Sequence, residues 1–282
     1  MSIRIVTDSA SDISDSERKD VTVIPLKVRF GDEEFMDGVD ISHKEFYEKL
    51  IETEELPITS QATPYDFENV YKEAHASGDA LIVITLSSKL SGTYQSAVIA
   101  AADYGNIYVV DSENVTVGEH ALVELALRLK DSGMEAEDIV SALEREKKNI
   151  RLVALLDTLE YLKKGGRISK TAAVAGSLLS IKPVIAIENG EVVMLGKARG
   201  SRHGNNLLVQ KINESGGIDF DKPYILGYTG LSDALLRKYI ADSEALWRDE
   251  ADSLEITTVG AVIGTHVGPG AIAVAFFAKA EN

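Results

Sequence analysis

The sequence predicts an α/β protein of two domains: an N-terminal one on a mainly parallel sheet flanked by helices, and a C-terminal one with a mixed or antiparallel sheet and helices. Three observations carry that reading. Apolar runs of strand length alternate with amphipathic segments through the first half, the pattern of strand–helix–strand units. Asn189-Gly190 lies between two apolar runs in the second half and signals a tight hairpin, which a purely parallel sheet does not need. The chain has 282 residues, 45% of them hydrophobic, enough to bury more than one core.

Taken in order, the strands of the first half are expected at residues 3–7, 22–28, 80–86, 107–111 and 152–156. The helices between them have readable starts. Ser42 and Glu45 form a capping box ahead of Phe46, Tyr47, Leu50 and Ile51, and Thr63-Pro64 with Asp66 supplies an N-cap, a first-turn proline and a first-turn acid. Segments 119–130 and 136–148 are amphipathic, and Gly78, Gly105 and Gly133 stand where helices end. The character changes after Asp157. A short helix ends at Gly165-Gly166, an Ala-rich helix follows, and strands 183–195 fold about Asn189-Gly190. Helices at 202–214 and 233–250 separate strands near 224–228, 255–259 and 271–277. The expected domains are therefore residues 1–160 and 161–282.

Ile256 to Ala278 carries no Asp, Glu, Lys or Arg, so it needs weighing as a membrane span. Gly260, Gly264, Gly268, Pro269 and Gly270 break such a helix, while Thr257, Thr258, Val259, Val262 and Ile263 favour strands. Two buried strands joined by a turn at residues 266–270 are expected instead. The net charge of −16, from 45 acidic against 29 basic residues, opposes binding to nucleic acid and to anionic membranes. Cysteine is absent, which removes disulfides and thiolate metal sites. With a strand-like start at Ile3 and no signal peptide pattern, a cytoplasmic location is expected.

The segment from Ala80 to Ala97 is the most informative for chemistry. A buried strand enters the hydroxyl-rich turn Ser91-Gly92-Thr93 and then a helix, placing hydroxyls and free backbone N–H groups at the carboxyl end of a strand. That arrangement attracts an anion. It carries neither a Walker lysine nor a Gly-x-Gly-x-x-Gly fingerprint, so the anion need not be a nucleotide phosphate. Similar turns recur after Thr7, at Thr59-Ser60-Gln61 and at Ser112, and turns that follow parallel strands emerge at one sheet edge. Ser9, Ser112 and Thr63 read as caps or turn formers, whereas Thr59 and Ser91 are not needed as caps.

Other chemistries were weighed against plainer readings. His266 sits in a Gly-rich turn that permits close approach of a ligand, although a lone histidine is more often structural. No histidine has metal-ligand spacing, and Asp8, Asp12, Asp37 and Asp40 read as turn residues, so no metal site is expected. Catalysis by Ser91 needs a base and an oxyanion hole, and the Gly-x-Ser-x-Gly elbow is missing. A serine esterase using Ser91 and a small-anion regulatory module remain the alternatives. Lys163, Lys164, Arg167, Lys170, Lys197, Arg199 and Arg202 are basic in an acidic chain; they read either as a solvated face or as a docking surface for an acidic or phosphorylated partner.

Seven ordered motifs then match a known family across nearly the whole chain: residues 5–9, 24–32 with 37–41, Thr59-Ser60-Gln61, Leu90-Ser91-Gly92-Thr93-Tyr94, Gly166-Arg167-Ile168, Lys182-Pro183 and 265–270. The chain resembles the DegV family of bacterial fatty-acid-binding proteins. The resemblance implies one long-chain fatty acid, such as palmitate or oleate, with its carboxylate on Thr59 and Ser91, the Gly92 N–H contributing and His266 nearby. It implies an apolar tunnel for the tail, no cofactor and no catalytic residue. It also implies presentation of the acid to a separate ATP-dependent fatty acid kinase serving phospholipid synthesis, with Arg167, Lys170, Arg199 and Arg202 as candidate docking residues. Residues 172–179 and 271–277 are candidate tunnel walls, with plain core the simpler reading of both. Ala62 replaces a usual proline and Ala273 a common glycine, departures that bear on loop rigidity and tunnel width.

Overall fold

The computed structural model describes residues 2–13, 19–168, 181–247 and 254–279. Strands β1 (Ile3–Asp8), β2 (Val21–Ile24), β6 (Ala80–Thr85) and β7 (Ile107–Asp111) form an all-parallel sheet in the order β2-β1-β6-β7. Strand β6 is buried along its entire length, which explains its unbroken apolar sequence. Helices α2 (Pro64–Ser77), α3 (Thr93–Ala101), α4 (Val117–Asp131) and α5 (Ala136–Glu146) belong to this half. Gly78 and Gly133 take left-handed backbone near the ends of α2 and α4, as expected. Gly105 does not; α3 stops at Ala101 and Gly105 lies in the following turn with ordinary φ.

Three expectations need correction. The single strand at 22–28 is two: Pro25 and Leu26 break it, and β3 (Lys27–Phe30) leaves the parallel sheet to pair with β4 (Glu33–Met36) and β5 (Ile58–Ser60). This antiparallel trio packs Phe30 with Phe46 and Tyr47 of helix α1 (His43–Glu52), whose capping box forms as read. The strand at 152–156, assigned to the first half, is β8 (Ile150–Leu155) of the second sheet. That sheet has the order β10-β9-β8-β13-β11-β12, with β9 (Ile181–Glu188), β10 (Glu191–Arg199), β11 (Tyr224–Tyr228), β12 (Glu255–Thr258) and β13 (Ile272–Phe277). It is mixed, as predicted, and Asn189 and Gly190 turn the β9–β10 hairpin with φ of 51° and 82°.

The third correction bears on function. Residues 256–278 are not two strands and a turn, because helix α10 (Ala261–Val267) stands between β12 and β13. Strand propensity at Val262 and Ile263 is overridden by capping from the other half of the chain. Asp12 Oδ1 accepts the Gly260 N–H at 2.8 Å, and Asp37 accepts the Ala261 and Val262 N–H groups at 3.0 and 3.4 Å. The remaining glycine signal has a packing reason: a Cβ on Gly264 lies 2.7 Å from Phe46 and from the Tyr47 hydroxyl. A helix from the second half is thus seated on the first.

Helix α4 completes the join, packing against β1 and β6 of the parallel sheet and against β8, β11 and β13 of the mixed one. The largest apolar cluster accordingly spans both halves, from Ile5 and Ile82 to Ile185 and Phe277. Past the short helix α6 (Glu160–Lys164), a second cluster under α7 (Gly200–Glu214) and α8 (Ala234–Asp242) includes Phe276 and Trp247, the last residue of α9 (Glu244–Trp247). Among the described residues no helix is long and apolar enough to cross a membrane. The Ala-rich stretch 172–179 lies outside the described residues.

Candidate ligand-binding site

The fold brings Thr59, Ser91, Gly92 and His266 to one cavity of about 360 Å³ between the two sheets. Three elements supply them. Strand β5 pairs Thr59 with Val28, the turn after β6 carries Ser91 and Gly92, and the last turn of α10 presents His266. His266 Nε2 lies 2.9 Å from Thr59 Oγ1. Ser91 Oγ lies 3.0 Å from Thr93 Oγ1 and accepts the Thr93 N–H at 3.3 Å, a local turn bond just ahead of the Gly92 N-cap of α3.

Much of the donor set expected at the β6 turn is taken by the chain itself. Asp8 Oδ2 accepts the Leu86 N–H at 2.9 Å, and Asp111 Oδ1 accepts that of Ser88 at 3.2 Å. Asp8, at the point where strand order reverses between β1 and β6, occupies the crevice where open parallel sheets hold ligands. Burial pushes its carboxyl up to about 7. Asp12 and Asp37 are raised too, first by burial. These acids serve backbone capping, as the turn reading held, and among the described residues no cluster is arranged to hold a metal ion. Among the described residues no acceptor takes the Gly92 N–H.

Burial, with the Arg167 charge second, pushes the His266 imidazole down to about 4. The ring is therefore neutral near pH 7 and holds one proton. Nδ1 has no partner among the described residues and faces Gly165, where a Cβ meets it at 2.2 Å. With the proton on Nε2, His266 donates to Thr59 Oγ1 and frees the threonine hydroxyl to donate onward.

Behind this polar mouth the lining is apolar. Leu86, Leu90, Leu156, Ile185, Val262 and Ile263 contribute, and the mixed sheet adds Ala154, Gly227 and Ala273, which are cross-strand neighbours on β8, β11 and β13. Ala271, Ile272 and Ala273, at the start of the terminal strand, line the cavity.

Two side chains in the mouth were not assigned to the ligand site from sequence. Gln61 overlies Gly92 so closely that a Cβ there meets its Oε1 at 2.2 Å, and its amide donates to Ser96. Arg167, read as a docking residue, lines the cavity with its guanidinium donating to the carbonyls of Leu90 and Gly165 at 3.3 and 2.7 Å. Gln61 sits within the Thr59-Ser60-Gln61 motif, so the signal was present. Arg199 and Arg202 are exposed at the start of α7, away from the lining; Lys170 lies outside the described residues.

Fold and site together define an α/β protein that encloses an apolar cavity behind a hydroxyl-rich mouth. The chain belongs to the DegV family: the family model "Uncharacterised protein, DegV family" matches residues 2–279. A DegV domain-containing protein of Caldanaerobacter subterraneus subsp. tengcongensis is 38% identical, with 98% of this chain and 99% of that protein covered. Among solved structures, a fatty-acid-binding DegV family protein of Thermus thermophilus superposes with a TM-score of 0.87 at 32% identity, over 99% of this chain and 100% of that one. DegV of Bacillus subtilis, a fatty acid binding protein, gives 0.83 at 32% identity over the same shares.

Proposed function

We propose that this protein binds one long-chain fatty acid, palmitate or oleate in character, with its carboxylate at the mouth and its tail in the cavity. The carrying observation is the convergence of Thr59, Ser91 and Gly92 on the polar end of one apolar cavity. Charge-assisted hydrogen bonds from neutral donors contribute on the order of 1.5–3 kcal/mol each. Burying the tail contributes roughly 0.8 kcal/mol per CH₂, less the cost of ordering the chain. Selectivity then follows tail fit more than head-group chemistry. His266 serves as a positioning residue by fixing the direction of the Thr59 hydroxyl.

The bound acid is presented to a separate ATP-dependent fatty acid kinase, and the protein itself is a carrier without catalytic residues, in the cytoplasm, supplying phospholipid synthesis. The exposed Arg199 and Arg202 support docking of an acidic partner; Arg167 fits better as a part of the mouth. Separate partners for Ser91 and His266 favour a carrier over a serine esterase, since Ser91 pairs with Thr93 and His266 with Thr59. Thermal-shift screening separates the readings. A carrier is stabilised by oleate and palmitate and ignores acetate and ATP; stabilisation by short anions or nucleotides alone, or acyl-ester turnover lost in Ser91→Ala, overturns it.

A further inference from the structure

The mixed sheet is not closed along its full length. Strand β8 pairs with β9 only through Val153–Ala186, Ala154–Ile185 and Leu155–Val184. Beyond Val153 the two part company: Arg151 and Ile150 continue to pair with β13, while Ile187 and Glu188 continue with β10. A slit therefore opens in the middle of the sheet. On its far side lies a second cleft of about 750 Å³, reached by Glu113, Lys147, Arg151, Glu188, Lys211 and Glu214. Leu152 and Ile187 line both this cleft and the apolar cavity.

The two chambers differ sharply in chemistry. Lys147 is held between Glu113 and Glu144 at 3.3 and 2.7 Å, Lys211 pairs with Glu214 at 2.6 Å, and the Arg151 guanidinium donates to the carbonyls of Lys148 and Ile150. Such a cleft, lined with paired charges, gives methylene groups little gain on leaving water. Leu152 and Ile187, only 3% and 6% exposed, are the layer that separates it from the apolar side.

We infer that the slit between β8 and β9, closed among the described residues by Leu152 and Ile187, bounds the acyl site and sets the upper limit on chain length. This rests on the fatty-acid reading above. Strands held apart by their other neighbours leave room that, among the described residues, Leu152 and Ile187 fill, so truncating either one joins the chambers without cutting a ladder. A chain too long for the cavity then passes its methyl end through the slit.

The test compares oleate with erucate, a longer acid with one cis double bond, by competition against a fluorescent fatty acid on the full chain. Wild type is expected to prefer oleate. In Leu152→Ala, and separately in Ile187→Ala, the erucate-to-oleate affinity ratio rises about tenfold; in Ile187→Trp it falls, and oleate itself weakens against laurate. The ratio is independent of the fraction folded, and the enlarging and filling variants act in opposite directions. Oleate binding with an unchanged ratio in all three variants overturns the slit alone. Uptake of neither acid by wild type overturns the fatty-acid reading, and the slit with it.

Discussion

Replacing both hydroxyls at the mouth, Thr59→Ala with Ser91→Ala, probes the carboxylate assignment. Each hydroxyl donating to a carboxylate contributes about 1.5–3 kcal/mol net. The two act on one carboxylate at one end of a shared cavity, so their effects are coupled and the sum is a ceiling. A loss of roughly 3 kcal/mol is the working figure, on the order of a hundredfold in affinity. The structural cost is small. Among the described residues Thr59 Oγ1 bonds only His266, and the turn bond from the Thr93 N–H to Ser91 Oγ, at 3.3 Å, contributes about 1 kcal/mol to stability. Calorimetric titration with oleate measures the loss, and methyl oleate serves as control because it keeps the tail and removes the charge. Wild type should strongly prefer the acid to its ester, and the double variant should lose most of that preference. A folded double variant with undiminished oleate affinity refutes the placement of the head group.

Other consequences follow from single side chains. Gly92→Ala keeps an allowed backbone, with φ of −80°, but drives the flexible end of Gln61 aside; Tm should hardly move while oleate binding weakens about tenfold. Gly264→Ala places a methyl against Phe46 and Tyr47 and lifts α10, costing about 1–3 kcal/mol in denaturant unfolding and weakening binding through displaced His266. Because the folded pKa of His266 is depressed from 6.5 to about 4, the unfolded chain takes up its proton first as pH falls. Its contribution is intact above pH 6.5 and is lost on descending toward 4, at up to about 1.4 kcal/mol per pH unit. The stability difference between wild type and His266→Gln should therefore be flat above pH 6.5 and shift against wild type below it. A parallel pair of curves down to pH 4 contradicts that assignment.

What the sequence revealed and concealed has physical reasons. Strands β1, β6 and β7, the α1 capping box and the Asn189-Gly190 hairpin were legible because local pattern and turn chemistry agree with the tertiary fold. Helix α10 was not, since its N–H groups are capped by Asp12 and Asp37, more than two hundred residues away in sequence. The β2–β3 break was marked by Pro25 yet hidden in a continuous apolar run. Thr59 and Ser91 stood out as hydroxyls without a capping need, and the N-cap of α3 is indeed Gly92. Arg167 was misread for a general reason: charge counts along the chain cannot tell an exposed guanidinium from one held by Leu90 and Gly165 carbonyls.

The central claim is that the cavity behind Thr59, Ser91 and His266 holds one long-chain acyl group. Mass spectrometry of the folded protein under native conditions, followed by analysis of lipid extracted from it, tests this most directly. One fatty acid per chain is predicted, exchangeable for added palmitate or oleate. A protein that carries no such lipid and takes up neither acid contradicts the account.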